Sequence, residues 1–165
     1  MTELKSNSRS PFKLLPNAEL GSLMAEVLEK GESFQFRALG WSMAPFIKPG
    51  DMLLIEPIGE RKSSVGDIVA FSLPEPGGYR VHRVIHRVDK GFLIKGDNLN
   101  HADGIIIFEG ILGKVKKVSR RGKKVRLGIN MGNRGVALFS RLGWLIPIVS
   151  RLRKITRFIE TKKSS

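Results

Sequence analysis

Four side chains in this chain have the types that nucleophilic serine chemistry uses: Ser42, His82, Asp97 and Asp103. A serine hydroxyl is a weak nucleophile until a base takes its proton, and histidine is the usual base. A carboxylate behind the imidazole fixes its tautomer and stabilises the imidazolium. The boxes that carry these residues run in order. Gly40-Trp41-Ser42-Met43-Ala44-Pro45 is followed by Gly50-Asp51, Gly66-Asp67-Ile68-Val69, Val81-His82-Arg83-Val84-Ile85 and Lys95-Gly96-Asp97-Asn98. No box decides anything alone; their order and spacing do.

Each residue also has a plainer reading. A serine between Gly40 and Pro45 suits a turn, where its hydroxyl caps a backbone N–H. Asp97, after Gly96, and Asp103, before Gly104, suit turns in the same way. Asp51 and Asp67 read as turn residues supporting a scaffold. His82 lies in Tyr79-Arg80-Val81-His82-Arg83-Val84-Ile85-His86-Arg87-Val88, whose Val/Ile content argues for a strand. Strict alternation puts His82, Val84, His86 and Val88 on one face. His82 and His86 then stand about 13 Å apart, too far to share a metal. One histidine is a base candidate only if a serine faces it. Lys95 is the rival base.

The elements that must hold these residues are short. Residues 1–15 are polar and read as disordered. Asn17 reads as an N-cap, with Leu20, Leu23, Met24, Val27 and Leu28 forming an apolar helical stripe and Gly31 ending it. From Phe34 the period changes. Segments 34–39, 52–58, 68–73, 79–88, 92–96, 111–118 and 124–129 are rich in Val, Ile and Phe and bounded by Gly, Pro and Asp. Arg120-Arg121-Gly122-Lys123 suits a hairpin turn between the last two. After Gly132 a helical period returns through Leu138, Leu142, Leu145, Val149, Leu152, Ile155 and Ile159, with Arg141, Arg151, Arg153, Lys154 and Arg157 interleaved. The expected fold class is mainly β. Its parts are a disordered start and short amphipathic helix over 1–33, a β-rich domain over 34–130, and a basic amphipathic helix and tail over 131–165.

With 165 residues the chain can bury a core without staples, and it has no cysteine, which excludes disulfides and thiolate metal sites. The formal charge of +14 is unevenly placed. Residues 1–113 hold 13 Lys/Arg against 14 Asp/Glu, so of the 29 and 15 in the chain 16 and one fall in 114–165. That segment, at +15, points to an anionic partner, lipid head groups or nucleic acid phosphates. No secretory signal is expected in the first 33 residues. No window supplies the roughly 20 uncharged apolar residues of a spanning helix.

Taken together, the boxes resemble the signal peptidase I family, in its Ser/His branch, which includes the archaeal enzymes and the catalytic subunit of the endoplasmic-reticulum complex. The resemblance covers about residues 37–118. Ser42-Met43-x-Pro45 matches the nucleophile box and Gly66-Asp67-Ile68-Val69-x-Phe71 a family strand. Val81-His82-Arg83-Val84-Ile85 matches the box in which the commoner bacterial branch carries a lysine. Lys95-Gly96-Asp97-Asn98 matches the aspartate box, and Asp103 falls where the second acidic residue lies.

The resemblance implies a β-rich peptidase fold, like that shared by signal peptidases and repressor peptidases. Ser42 would be the nucleophile, His82 the general base and then acid, and Asp103 its orienting partner. Asp97 would support the site or share that last role. Trp41, Met43 and Pro45, around the nucleophile, would contact substrate. No cofactor or metal is implied. The substrates would be preproteins or leader peptides with small side chains before the cut.

Three departures stand out. Gly40-Trp41 replaces the Ser-Gly whose hydroxyl helps bind the oxyanion, and losing one such donor costs roughly 10²–10³ in rate. No N-terminal membrane anchor of the family's kind is expected. The basic C-terminal helix lies outside the family pattern, and it could answer the second departure by peripheral attachment to the inner membrane, its Lys/Arg on anionic lipid. A contrasting reading is an inactive β module that binds nucleic acid or anionic membrane through that segment. A self-cleaving repressor of Ser/Lys type would need an upstream DNA-binding helix pair and a lysine where His82 stands.

Overall fold

The computed structural model describes residues 16–58, 63–74 and 77–125. The chain opens with helix α1 (Asn17–Glu29) and continues through strands β1 (Phe34–Arg37), β2 (Met52–Pro57), β3 (Ile68–Ser72), β4 (Tyr79–Val88), β5 (Gly91–Lys95), β6 (Gly104–Ile107), β7 (Ile111–Arg120) and β8 (Lys123–Val125). The fold is mainly β, as expected. One antiparallel sheet runs in the order β1-β2-β7-β3-β4-β5-β6, with β8 paired to β7. The β7–β8 hairpin turns at Arg121 and Gly122, both with positive φ (50° and 76°), which matches the twist of the strands it joins.

β3 shows why this sheet needs two cores. Its first four residues are all buried, and the pleat sends them alternately to opposite faces. Ile68 and Ala70 join Met24, Leu28, Leu53 and Ile55 beneath α1, while Val69 and Phe71 join Val84, Phe92 and Ile94 in a second cluster. Met24 and Leu28 are the buried members of the helix stripe. Each contributes about 1.5–3 kcal/mol of apolar burial. Leu23, by contrast, is 42 % exposed.

Four expectations are corrected. Asn17 is the first helical residue and not the cap; Pro16 holds that position, with no side-chain cap. The Asn17 amide instead donates to the Tyr79 carbonyl at 3.4 Å, tying the helix start to β4. Gly78 (φ +108°) permits this approach, since a Cβ there would meet Asn17 Nδ2 at 2.4 Å. Second, β4 does not alternate throughout. Val84 faces Ile94 and His86 faces Leu93, so Ile85 is an extra residue and His86 is turned away from the face of His82 and Val84. Third, β6 was not expected, because a four-residue strand without flanking alternation gives little periodic signal. Fourth, the first expected strand, 34–39, ends at Arg37. The C-terminal helix, the rest of the strand expected to 129 and the expected disorder of 1–15 lie outside the described residues.

Candidate active site

Ser42 sits on the loop between β1 and β2. The loop is closed at its neck by Ala38 N–H to Asp51 O and Gly50 N–H to Ala38 O, each 2.8 Å. Ala44 N–H to Trp41 O and Ile47 N–H to Met43 O, both 3.0 Å, wind its tip into a single turn. Met43, Phe46 and Ile47 plug that turn into the core beneath α1. Asp51 does turn work, as its sequence context implied: Oδ2 accepts the Lys48 N–H at 2.8 Å. Arg120 on β7 clamps the same carboxylate through two donors, at 2.8 and 2.7 Å, and donates to Phe46 O at 3.0 Å. The Asp51 bonds hold the Arg120 guanidinium above its ordinary range against the opposing pull of burial.

The aspartate box grips the serine from the other side. Asn98 N–H donates to Ser42 O at 2.7 Å, and Asn98 Nδ2 donates to Trp41 O at 3.1 Å. Gly96 makes room: a Cβ there would lie 2.9 Å from Ser42 O and 2.8 Å from a Leu99 methyl. Sequence reading placed Asn98 in a box without giving it this role.

His82 stands opposite Val69 in the sheet and is buried, with 3 % exposure. Its Nε2 lies 2.9 Å from Ser42 Oγ, and its Nδ1 lies 2.6 Å from Asp103 Oδ2. A carboxylate beside Nδ1 places the ring proton there, leaving Nε2 to accept the Ser42 hydroxyl proton. Asp103 is itself anchored by its N–H to Ile94 O at 2.8 Å. Its other oxygen accepts Arg80 Nη1 at 2.9 Å, a contact the sequence reading missed. Burial alone would push the Asp103 carboxyl up; the His82 ring and the Arg80 guanidinium outweigh it and hold it below the usual carboxylate range.

Asp97 does not share the place of Asp103. Its carboxylate is taken by Arg83, which donates Nε and Nη2 at 2.8 and 2.7 Å and gives Nη1 to Gly66 O at 2.7 Å. Both side chains are fully buried. A buried guanidinium must be matched by negative charge, and the Asp97 carboxylate supplies it. The pair therefore pins the Gly66 turn, β4 and the aspartate box together. Asp67 is likewise occupied with the Ser64 N–H and Lys114 Nζ, both at 2.8 Å. Lys95 pairs with Arg83 across the sheet, hence on the face opposite His82. Burial pulls its ammonium below the ordinary lysine range, with Asp97 pushing back.

A cavity of about 380 Å³ opens beside the serine and histidine, with Phe36, Met43, Leu53 and Tyr79 in its wall. Of the three residues expected to contact substrate, Met43 lines this cavity. Trp41 and Pro45 are not in that wall; Trp41 is 42 % exposed at the surface.

A β scaffold that brings a loop serine, a strand histidine and a buried carboxylate into one hydrogen-bonded row has the form of a serine peptidase. The family profile described as Peptidase S24-like matches residues 17–116, and the chain belongs to that family. It includes serine peptidases and self-cleaving repressors; the match does not single out the signal peptidase branch that residues 37–118 resemble. Among curated proteins, none matches the chain. Among the described residues no helix is long and apolar enough to cross a membrane.

Proposed function

We propose that this protein is a serine endopeptidase of signal peptidase type, which removes leader peptides from preproteins by a Ser42–His82–Asp103 mechanism. The observation that carries the reading is the unbroken row from Ser42 Oγ through both ring nitrogens of His82 to Asp103. As Ser42 Oγ attacks the scissile carbonyl carbon, its proton passes to His82 Nε2. The imidazolium then gives that proton to the departing amine as the C–N bond breaks, leaving an ester on Ser42. Water attacks the ester, its proton goes to His82, and the Ser42 oxygen leaves with that proton as the acid product is released. Asp103 stays ionised throughout and offsets the imidazolium charge. The apolar wall around Met43 and Leu53 supports recognition of an uncharged side chain before the cut.

The charge split supports attachment to anionic membrane as part of the same reading. Seven of the sixteen cations after residue 113 belong to β7, β8 and their turn. The part after residue 125 still holds nine Lys/Arg against one acid and interleaves cations with an aliphatic stripe at helical spacing, which fits an interfacial helix better than the open stacking platforms of single-strand binders. Deleting 133–159 is expected to abolish sedimentation with anionic vesicles; unchanged sedimentation removes the membrane part of the proposal. Tight, salt-sensitive gel shifts in a chain without proteolysis would favour the nucleic acid reading.

The decisive experiment incubates the chain with a panel of leader-bearing preproteins, wild type beside Ser42→Ala, and reads product masses. A cut after a small residue, lost in Ser42→Ala, is expected. A cut within the chain itself, at a rate independent of concentration, would make it a self-processing member of the family instead.

A further inference from the structure

We infer that Arg80 is a positioning residue for the Ser42–His82–Asp103 row, acting through the second oxygen of Asp103. The inference rests on the proposed peptidase reading of that row. Arg80 and His82 are two residues apart on β4, opposite Phe71 and Val69 on β3. The pleat therefore sends both side chains to one face, roughly 6.6 Å apart along the strand. Asp103 spans the gap, with Oδ2 on His82 and Oδ1 on Arg80.

That sharing matters because a carboxylate held at one oxygen can pivot about its Cβ–Cγ bond. Held at both, it cannot. The Asp103 side chain is 4 % exposed with Arg80 in place, so without Arg80 its Oδ1 would exchange a fixed cationic donor for mobile water from the cavity. Water holds that oxygen less firmly than a fixed cation does, and the group would rotate or take up a proton. Either response loosens the imidazole that must aim Nε2 at Ser42. The Arg80 side chain itself is 52 % exposed and lies in the cavity wall, so the fold does not depend on it.

The test uses the full chain and a fluorophosphonate probe, which reads activation of Ser42 without a known substrate. Arg80→Ala is expected to lower the maximal labelling rate by on the order of 10–10²-fold, the scale set by misplacing a reacting group. The probe concentration at half-maximal rate should not change. Arg80→Lys should recover most of the rate, because a cationic donor remains. Arg80→Met keeps the apolar stem, so its loss of rate at unchanged melting temperature isolates the guanidinium. In an Asp103→Ala background the Arg80→Ala change should cost less than twofold. Wild-type labelling in Arg80→Ala overturns the inference. So does a loss carried by probe binding, or an equal loss in both backgrounds, which would place Arg80 on the substrate. If the wild type labels no faster than Ser42→Ala, the peptidase reading itself falls.

Discussion

Both ring nitrogens of His82 are engaged, and this sets its expected behaviour apart from that of a core histidine. Ser42→Ala and His82→Ala are each expected to cut turnover by on the order of 10⁴–10⁶-fold, with the circular dichroism spectrum retained. The two aspartates separate cleanly. Asp97→Ala removes the carboxylate that accepts two donors of the buried Arg83 guanidinium and should cost about 3–5 kcal/mol of stability, read as a lowered urea midpoint. Asp103→Ala should leave the fold largely standing and cut activity by on the order of 10⁴-fold, leaving a residual rate. Sequence placed both aspartates near the site but could not rank them, since each follows the turn chemistry of its neighbours. Only the buried partner of Arg83 resolves them, and burial of position 83 is a tertiary fact. Gly40 adds a constructive test. A Cβ there would meet nothing within 4 Å, so Gly40→Ser has room to restore the missing hydroxyl donor. A rate gain of tenfold or more would support that role, against the roughly 10²–10³ that such a donor is worth; no gain would mean that other donors already suffice.

Among the elements, the strands with β-branched runs between Gly, Pro and Asp were legible because period and punctuation agreed. Two features were not. β6 (Gly104–Ile107) is held by its register to β5, with Ile105 opposite Leu93 and Ile106 opposite Phe92, a pairing that no local pattern announces. The bulge at Ile85 is the second, because an inserted residue leaves composition unchanged while it reverses the faces beyond it. The aspartate box shows how an element can serve a site without chemistry of its own. Gly96→Ala drives a methyl toward Ser42 O and Leu99 and should lower turnover more than it lowers stability. A matching drop in melting temperature and rate would instead assign Gly96 to the fold alone.

For the whole molecule, the rise of positive charge after residue 113 was readable from sequence, because charge needs no folding to be counted; that seven of those cations, from Lys114 to Lys124, belong to β7, β8 and their turn was not. Stability against pH was not readable, since it depends on burial. Burial raises Tyr79 to about 12. An acid whose folded value is raised contributes stability fully present below its unfolded value, about 10, and lost as pH climbs toward the folded one. Chemical denaturation is therefore expected to weaken between pH 10 and about 12, and Tyr79→Phe should flatten that part of the curve relative to wild type. At the acid end, Asp103 has the opposite sign: its depressed value adds stability that disappears as pH falls below the ordinary carboxylate range.

β7 carries the cations that secure two separate corners, Lys114 on Asp67 and Arg120 on Asp51. Asp67 closes the turn leading into β3, and Asp51 closes the serine loop. The five positions between those cations act as a spacer bar of fixed length between the two halves of the site. Adding one amino acid inside that bar would leave Ser42, His82 and Asp103 all present, yet pull apart the frames that align them. Such an insertion should yield a protein that still assembles its sheet and has lost its reactivity, a phenotype no substitution at the three positions would reveal.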